Sequence, residues 1–312
     1  GAKLQVIDKD GTVVEEWIST EDPHMIRGLL VGETYTLVET KPADGYTTAE
    51  SIEFKVEDTA EVQKHQMLDD VTKVEISKTD VTDSKEVPGA KLTILDKDGK
   101  VVESWVSDKD SHMVEKLPVG TYTLREEQAP DGYLVAEEVS FDVKDTGEIQ
   151  KVEMKDARPT GKLVLKKTDA EDGSPLAGAE FELRIKKSGK VVATLVTDEE
   201  GVATSGDIPI ATYKDGKMKK EIEYILVETK APDGYVRSEK EESIVFTYQD
   251  DKKKEIEITK ELTNERIPTG DYVKSPKTGD DTNIWLPILL LVLSVGGIAG
   301  IFWYTKKKNH EE

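Results

Sequence analysis

The sequence repeats itself, and this limits its possible folds more than any other feature. Three segments match: VETKPADGY (38–46), REEQAPDGY (125–133) and VETKAPDGY (227–235). Each follows a Tyr-x-Leu triplet beginning at Tyr35, Tyr122 or Tyr224. Upstream, GAKLQVIDKDG (1–11) matches GAKLTILDKDG (89–99), with a looser version in GAEFELRIKKSG (178–189). VVEEWIS (13–19), VVESWVS (101–107) and VVATLVT (191–197) keep the same register. Such self-similarity means a tandem array of one structural unit. The first two copies are close relatives; the third diverges and carries an insertion near Ser205–Lys220.

Each copy reads as strands. Alternating runs rich in Val, Ile, Leu, Thr and Tyr are separated by Asp-Gly, Ser-Gly and Pro-Asp-Gly turns. About 85–105 residues of this pattern predict a small antiparallel β-sandwich per copy. The expected divisions are 1–72, 73–158 and 159–266. Gly89 and Gly178 each lie eleven residues after a lysine, Lys78 in VEISKTD and Lys167 in LVLKKTD. Gly1 is the equivalent glycine of the first copy, so its first strand, with its lysine, falls before residue 1. The expectation is a C-terminal piece of a longer protein whose signal peptide and distal region lie upstream.

Composition removes several chemistries. With no cysteine, disulfides, thiolate metal sites, cysteine nucleophiles and thioester crosslinks are excluded. His24, His65, His112 and His310 are scattered, so no His-rich metal site or His-based triad is expected and no cofactor is implied. A formal charge of -21 argues against nucleic acid, which needs a basic footprint. The charge reads as a solvated surface that keeps an extended stalk from self-associating. Asp8-Lys9-Asp10-Gly11 and Asp96-Lys97-Asp98-Gly99 begin like calcium loops but lack the later ligands, and read as hairpin turns. Trp17 and Trp105 read as core or sheet-face packing rather than a sugar platform, and His24-Met25 and His112-Met113 as local packing.

Strand parity places polar residues on apolar faces. Val74, Ile76 and Lys78 share one face, as do Leu163, Leu165 and Lys167. Tyr122, Leu124 and Glu126 share another, as do Tyr224, Leu226 and Glu228. Val152, Met154 and Asp156 align, as do Leu262 and Asn264. Ionised and unpaired inside a core, such groups cost several kcal/mol each. The core must therefore hold either a hydrogen-bonded ionic triad or a covalent link.

The KTD strand, the Y-x-L-x-E-x-x-A-P-x-G-Y box and the terminal Asp/Asn strand together cover nearly all of residues 1–266. They resemble the collagen-adhesin B-type domain of Gram-positive adhesins and pilins, also called SpaA-type or prealbumin-like. The resemblance implies an all-β chain of tandem Ig-like or prealbumin-like antiparallel β-sandwiches. It also implies intramolecular isopeptide bonds, in which a lysine amine attacks an Asp or Asn side chain and a glutamate catalyses the step. Burial favours a neutral amine and a protonated carboxyl, which suits that chemistry. By position, the second copy gives Lys78, Glu126 and Asp156, and the third gives Lys167, Glu228 and Asn264. The first retains Glu39 and Asp69 without a lysine. Asp70 rivals Asp69, which is preferred because Met67 matches Met154; Lys166 and Lys260 rival Lys167.

The C-terminal region adds a different signal. Ile284 to Tyr304 is an uncharged apolar run. As a helix, about 21 residues reach ~31 Å, one hydrocarbon core, so a transmembrane helix is expected. Lys306, Lys307 and Lys308 place the 305–312 tail in the cytoplasm and everything before Ile284 outside. Just upstream stand Ser275, Pro276, Lys277, Thr278 and Gly279. Motif, span and basic tail resemble the cell-wall sorting signal of Gram-positive surface proteins, with Ser275 where LPxTG has Leu. The resemblance implies that a sortase cleaves after Thr278 and joins its carboxyl to an amine of the peptidoglycan cross-bridge. The membrane is then a partner only before sorting, and 267–283 is a linker through the wall. Together these features read as a wall-anchored stalk that turns over no external substrate. It would display a distal region that meets host matrix or another surface ligand. A basal or tip pilin subunit is one alternative, although no Tyr-Pro-Lys motif is present. The anchor portion of a surface enzyme is another.

Overall fold

The alternating runs fold as strands, and the turns fall where Asp-Gly pairs stand. Asp8 and Asp96 each accept backbone N–H groups two and four residues on, at 2.8–2.9 Å, so these carboxylates cap their own hairpins. The computed structural model describes residues 1–268, in which every regular element is a strand. The sorting motif, the apolar run 284–304 and the 305–312 tail lie outside the described residues. Gly1–Ile267 form one compact unit.

The second repeat is a two-sheet sandwich. One sheet orders Val139–Val143, Gly120–Gln128, Lys91–Leu95 and Val101–Val106; the other orders Ile149–Asp156, Lys73–Asp80 and His112–Glu115. Val74, Ile76, Leu92, Leu124 and Met154 fill the space between them. The third repeat repeats this plan around Leu163, Leu165, Phe181, Leu183, Leu226 and Phe246.

One expectation fails: the sandwiches are not purely antiparallel. Lys73–Asp80 runs parallel to Ile149–Asp156, and Thr160–Asp169 runs parallel to Glu255–Asn264. Hydrophobic alternation specifies a face and carries no direction. A parallel pair needs a long crossover, here supplied by the opposite sheet.

The first repeat differs more. Its strands Val13–Ile18, Lys3–Ile7, Thr34–Lys41 and Ile52–Lys55 form one sheet in that order. Val6, Tyr35 and Leu37 are covered by Ile26, Leu29, Val56 and Met67 from loops, rather than by a second sheet. Residues 56–70, which match the Ile149–Asp156 region, form no strand.

Successive repeats meet at the Gly-Tyr of each box. A β-carbon on Gly45 would overlap the backbone of Lys116 in the next repeat. One on Gly132 would overlap the side chain of Met218, in the Ala211–Lys214 and Lys217–Glu221 hairpin that forms part of the third repeat's insertion. At Gly234 no described atom lies within 4 Å. All three glycines are left-handed, with φ 83°, 90° and 86°. Alanine therefore carries the same backbone cost, about 1–2 kcal/mol, at each. Gly45→Ala and Gly132→Ala are expected to lower the melting temperature more than Gly234→Ala, because only they also displace a neighbouring repeat. Equal shifts in a thermal melt would remove the packing argument.

Candidate functional site

In the second repeat, three strands bring three charged side chains to one buried point. Lys78, Glu126 and Asp156 are 1%, 4% and 0% exposed. Lys78 faces Met154 in the ladder, and Asp80 faces Asp156. From that register the Lys78 Nζ reaches across to the Asp156 carboxylate in a short contact, with Glu126 Oε2 3.1 Å away. The same Glu126 oxygen accepts the Ala136 N–H at 2.6 Å, which fixes the carboxyl.

The third repeat builds the same corner with an amide. Lys167, Glu228 and Asn264 are 1%, 2% and 3% exposed. Lys167 Nζ lies 3.5 Å from Glu228 Oε1 and donates to the Thr263 carbonyl at 2.8 Å. Asn264 Nδ2 donates to Glu228 Oε2 at 3.0 Å and to the Val236 carbonyl at 2.6 Å. Ser238 N–H fixes Glu228 at 2.6 Å, as Ala136 fixes Glu126. The rival lysines lie on the surface: Lys166 faces Glu261 and Lys260 faces Glu242.

In the first repeat, Glu39 is 4% exposed and accepts the Ala49 N–H at 2.6 Å. Asp69 stands near it, exposed. Asp70 is turned away and accepts two bonds from Lys73, at 2.9 and 3.1 Å.

The polar atoms of these corners are incompletely satisfied. Among the described residues, the buried side-chain oxygens without a hydrogen-bond partner are Glu39 Oε1, Glu126 Oε1, Asp156 Oδ2, Glu228 Oε1 and Asn264 Oδ1. Every one belongs to a corner. Native proteins rarely leave such atoms unpaired, and each calls for a cause. Burial also shifts the titration of these groups. It raises the Asp156 carboxyl, with Glu126 adding to the rise and Lys78 opposing it. It lowers the Lys167 ammonium, against the pull of Glu228. It raises Glu39, where Asp69 and Asp145 add to the rise.

A second constellation was not singled out from the sequence. The aspartate two residues after each lysine is also buried. Asp80 Oδ2 accepts the Tyr133 hydroxyl and Arg158 Nε, both at 2.7 Å, while Oδ1 accepts the Thr82 N–H at 2.7 Å. Asp169 Oδ2 accepts Tyr235 at 2.7 Å and Arg266 Nε at 2.6 Å, and Oδ1 accepts the Glu171 N–H at 2.7 Å. This clasp ties the first strand, the box tyrosine and the residue two beyond the Asp/Asn into one knot. In the first repeat, Lys116 Nζ lies over the ring of the box tyrosine Tyr46, 5.1 Å from its centre. The Glu171 N–H, the Tyr235 hydroxyl and Arg266 hold the Asp169 carboxyl down at about 2. An unfolded aspartate titrates near 3.9. The clasp's contribution is thus complete above about pH 4 and is lost as pH falls through about 2. Denaturant unfolding across that range is expected to show this acid step, and Asp169→Asn to remove it.

The first repeat, with one sheet and an unfinished corner, is expected to exchange its amides faster than residues 73–158. Equal protection by hydrogen exchange would show that its loops replace the second sheet in full.

Comparison with known proteins assigns the fold. The family model of the SpaA prealbumin-like fold domain matches residues 1–70, 72–158 and 161–262. The chain belongs to this SpaA family. Among solved structures, the TIE protein of Bacillus anthracis is 27% identical, with a TM-score of 0.52, over 85% of this chain and 48% of that one. The chain thus spans about half the length of that protein. A streptococcal ancillary pilin is 18% identical over 77% of this chain and 76% of its own, with a TM-score of 0.29. BcpA, the major pilin subunit of Bacillus cereus, is 16% identical over 63% of this chain and 99% of its own, with a TM-score of 0.26. A search of curated proteins gave no match. Each SpaA match covers one repeat with its glutamate, and the third ends two residues before Asn264.

Proposed function

We propose that this chain is the load-bearing stalk of a sortase-anchored surface protein, stiffened by Lys78–Asp156 and Lys167–Asn264 isopeptide bonds. The observation that carries this reading is the convergence at one buried point of Lys78, Glu126 and Asp156, and again of Lys167, Glu228 and Asn264, with Glu126 Oε1, Asp156 Oδ2 and Asn264 Oδ1 left without a hydrogen-bond partner. An ionic triad kept for stability alone would satisfy those atoms.

The chemistry balances with the residues present. In the second repeat, the raised Asp156 carboxyl takes a proton from the Lys78 ammonium along their short contact. The neutral amine attacks Asp156 Cγ. Glu126, within 3.1 Å of Nζ, relays the proton to the departing oxygen, and water leaves. In the third repeat, burial favours the neutral Lys167 amine, and its attack on the Asn264 side-chain carbonyl carbon expels ammonia. Glu228, bonded to Asn264 Nδ2, is placed to protonate that leaving group. Each step occurs once per molecule, so Glu126 and Glu228 act as catalysts only toward their own chain. Glu39 and Asp69 have no lysine here, and residues 1–70 are expected to carry no bond.

Anchoring rests on the sequence of the C-terminal region. Wall-released protein is expected to end at Thr278, which peptide mapping of muramidase-released material checks. Recovery of Ile284–Tyr304 peptides in the wall-linked form would overturn the anchoring. The intact mass of residues 1–267 tests the bonds independently.

A further inference from the structure

The third repeat carries positive charge that the other two lack. Its first hairpin turn reads Lys186-Lys187-Ser188-Gly189, where the others have Asp8-Lys9-Asp10-Gly11 and Asp96-Lys97-Asp98-Gly99. Its insertion adds Lys214, Lys217, Lys219 and Lys220. Residues 185–190 and 211–220 together hold seven lysines and one acid, Asp215, in a chain of charge -21. All seven lysines are exposed. Of them only Lys186 is in an ion pair among the described residues, with Glu223 at 3.0 Å.

The fold brings the two segments together. They flank an open groove of about 380 Å³, lined by Lys186 and Lys187 from the turn, Thr212 and Lys220 from the hairpin, and Ile185 and Ile222. Its two acids are engaged: Glu221 accepts the Tyr248 N–H at 3.1 Å, and Glu223 holds Lys186. In the hairpin, Tyr213 pairs with Met218, and both face Gly132 of the second repeat. The pairs on either side, Thr212 with Lys220 and Lys214 with Lys217, therefore point the other way. Lys214 and Lys217 stand directly opposite each other, an arrangement that repels. An anion lying across the hairpin would relieve it. The groove lies at the end of the repeat that meets the second, where Thr160 pairs with Pro209 and Glu255. The last strand leaves from Asn264, nine residues and ~30 Å further on.

The chemistry of the side chains selects the ligand. A guanidinium grips a carboxylate with two parallel bonds, whereas a lysine ammonium is a point charge that suits a phosphate. No aromatic ring lines the groove, so nucleic-acid bases would find no stacking platform. We propose that this groove and the lysine face of the hairpin bind a base-free phosphodiester polymer of the cell wall, of the poly(glycerol phosphate) class. The site stands on the lysine geometry, while the source of the polymer rests on the wall-anchored reading, which holds the third repeat nearest the wall. Thr278 lies fourteen residues beyond Asn264, at most ~50 Å away. At about 0.15 M salt the Debye length is ~8 Å, so the local lysines outweigh the chain's remote acids.

Residues 1–267 are titrated into a labelled glycerol-phosphate oligomer between about 0.05 and 0.2 M salt, with anisotropy giving the affinity. The expected result is binding that weakens with salt. Lys187→Gln/Lys214→Gln/Lys217→Gln/Lys220→Gln should weaken it at least about tenfold at the lowest salt. It should also reduce the slope of log K against log salt by about 3, or ~0.7 for each lysine. Lys97→Gln/Lys100→Gln, in the matching turn of the second repeat, should bind as the parent does. No binding by the parent, an unchanged affinity in the four-lysine variant, or equal binding of a polyglutamate of the same charge would overturn the proposal. Peptide mapping at Thr278 tests the anchoring separately, so either reading can fail without the other.

Discussion

Residues 1–267 are expected to weigh about 35 Da less than their sequence mass: about 18 Da for the water lost at Lys78–Asp156 and about 17 Da for the ammonia lost at Lys167–Asn264. Glu126→Ala should restore the first increment and leave the second, and Glu228→Ala the reverse. Each substitution removes the proton relay at one corner and does not touch the other. Asp70→Ala should change nothing, since that carboxylate is held by Lys73. By analogy with a disulfide across a loop of similar length, each closed bond stabilises its repeat by up to ~4–5 kcal/mol, less any strain. A full sequence mass would leave only the ionic triads standing.

Arg158→Ala is expected to destabilise the second repeat by about 3 kcal/mol, the low end for breaking a buried ion pair because Arg158 is partly exposed. It strips the main cation from Asp80, whose side chain is fully buried. It also bares the Tyr213 ring, on which the guanidinium lies 4.0 Å from the centre. The 18 Da deficit should survive, because Lys78, Glu126 and Asp156 keep their positions. Denaturant unfolding paired with intact mass separates the two effects. Loss of the deficit in Arg158→Ala would show that the clasp is needed to close the bond.

The faces of the second and third repeats were legible because parity survives any choice of topology. Val74, Ile76 and Lys78 lie on one buried face whether their neighbour is parallel or antiparallel. For the same reason parity could not reveal that Lys73–Asp80 pairs in parallel with Ile149–Asp156. The Asp80–Tyr133–Arg158 clasp left a signal that went unread. Aspartate follows lysine by two in both KTD strands, and arginine follows Asp156 and Asn264 by two. Two residues beyond Asp69, the first repeat has Val71 where the others have arginine. The insertion near Ser205–Lys220 was visible as extra length, but its role was not. Tyr213 and Met218 acquire meaning only against Gly132, some eighty residues away.

The parallel pairing of first and last strands has a consequence for extension. Tension enters Lys73–Asp80 at its N-terminal end and leaves Ile149–Asp156 at its C-terminal end, so the two strands are sheared lengthwise rather than peeled apart. With the proposed bond closed near the exit, the path crosses from Lys78 to Asp156 and bypasses the chain between them. At ~3.4 Å per residue, the roughly 77 residues so enclosed represent ~260 Å of contour that no pull can release. In the third repeat the roughly 96 residues between Lys167 and Asn264 withhold ~330 Å more. A tether built this way transmits force at nearly constant length.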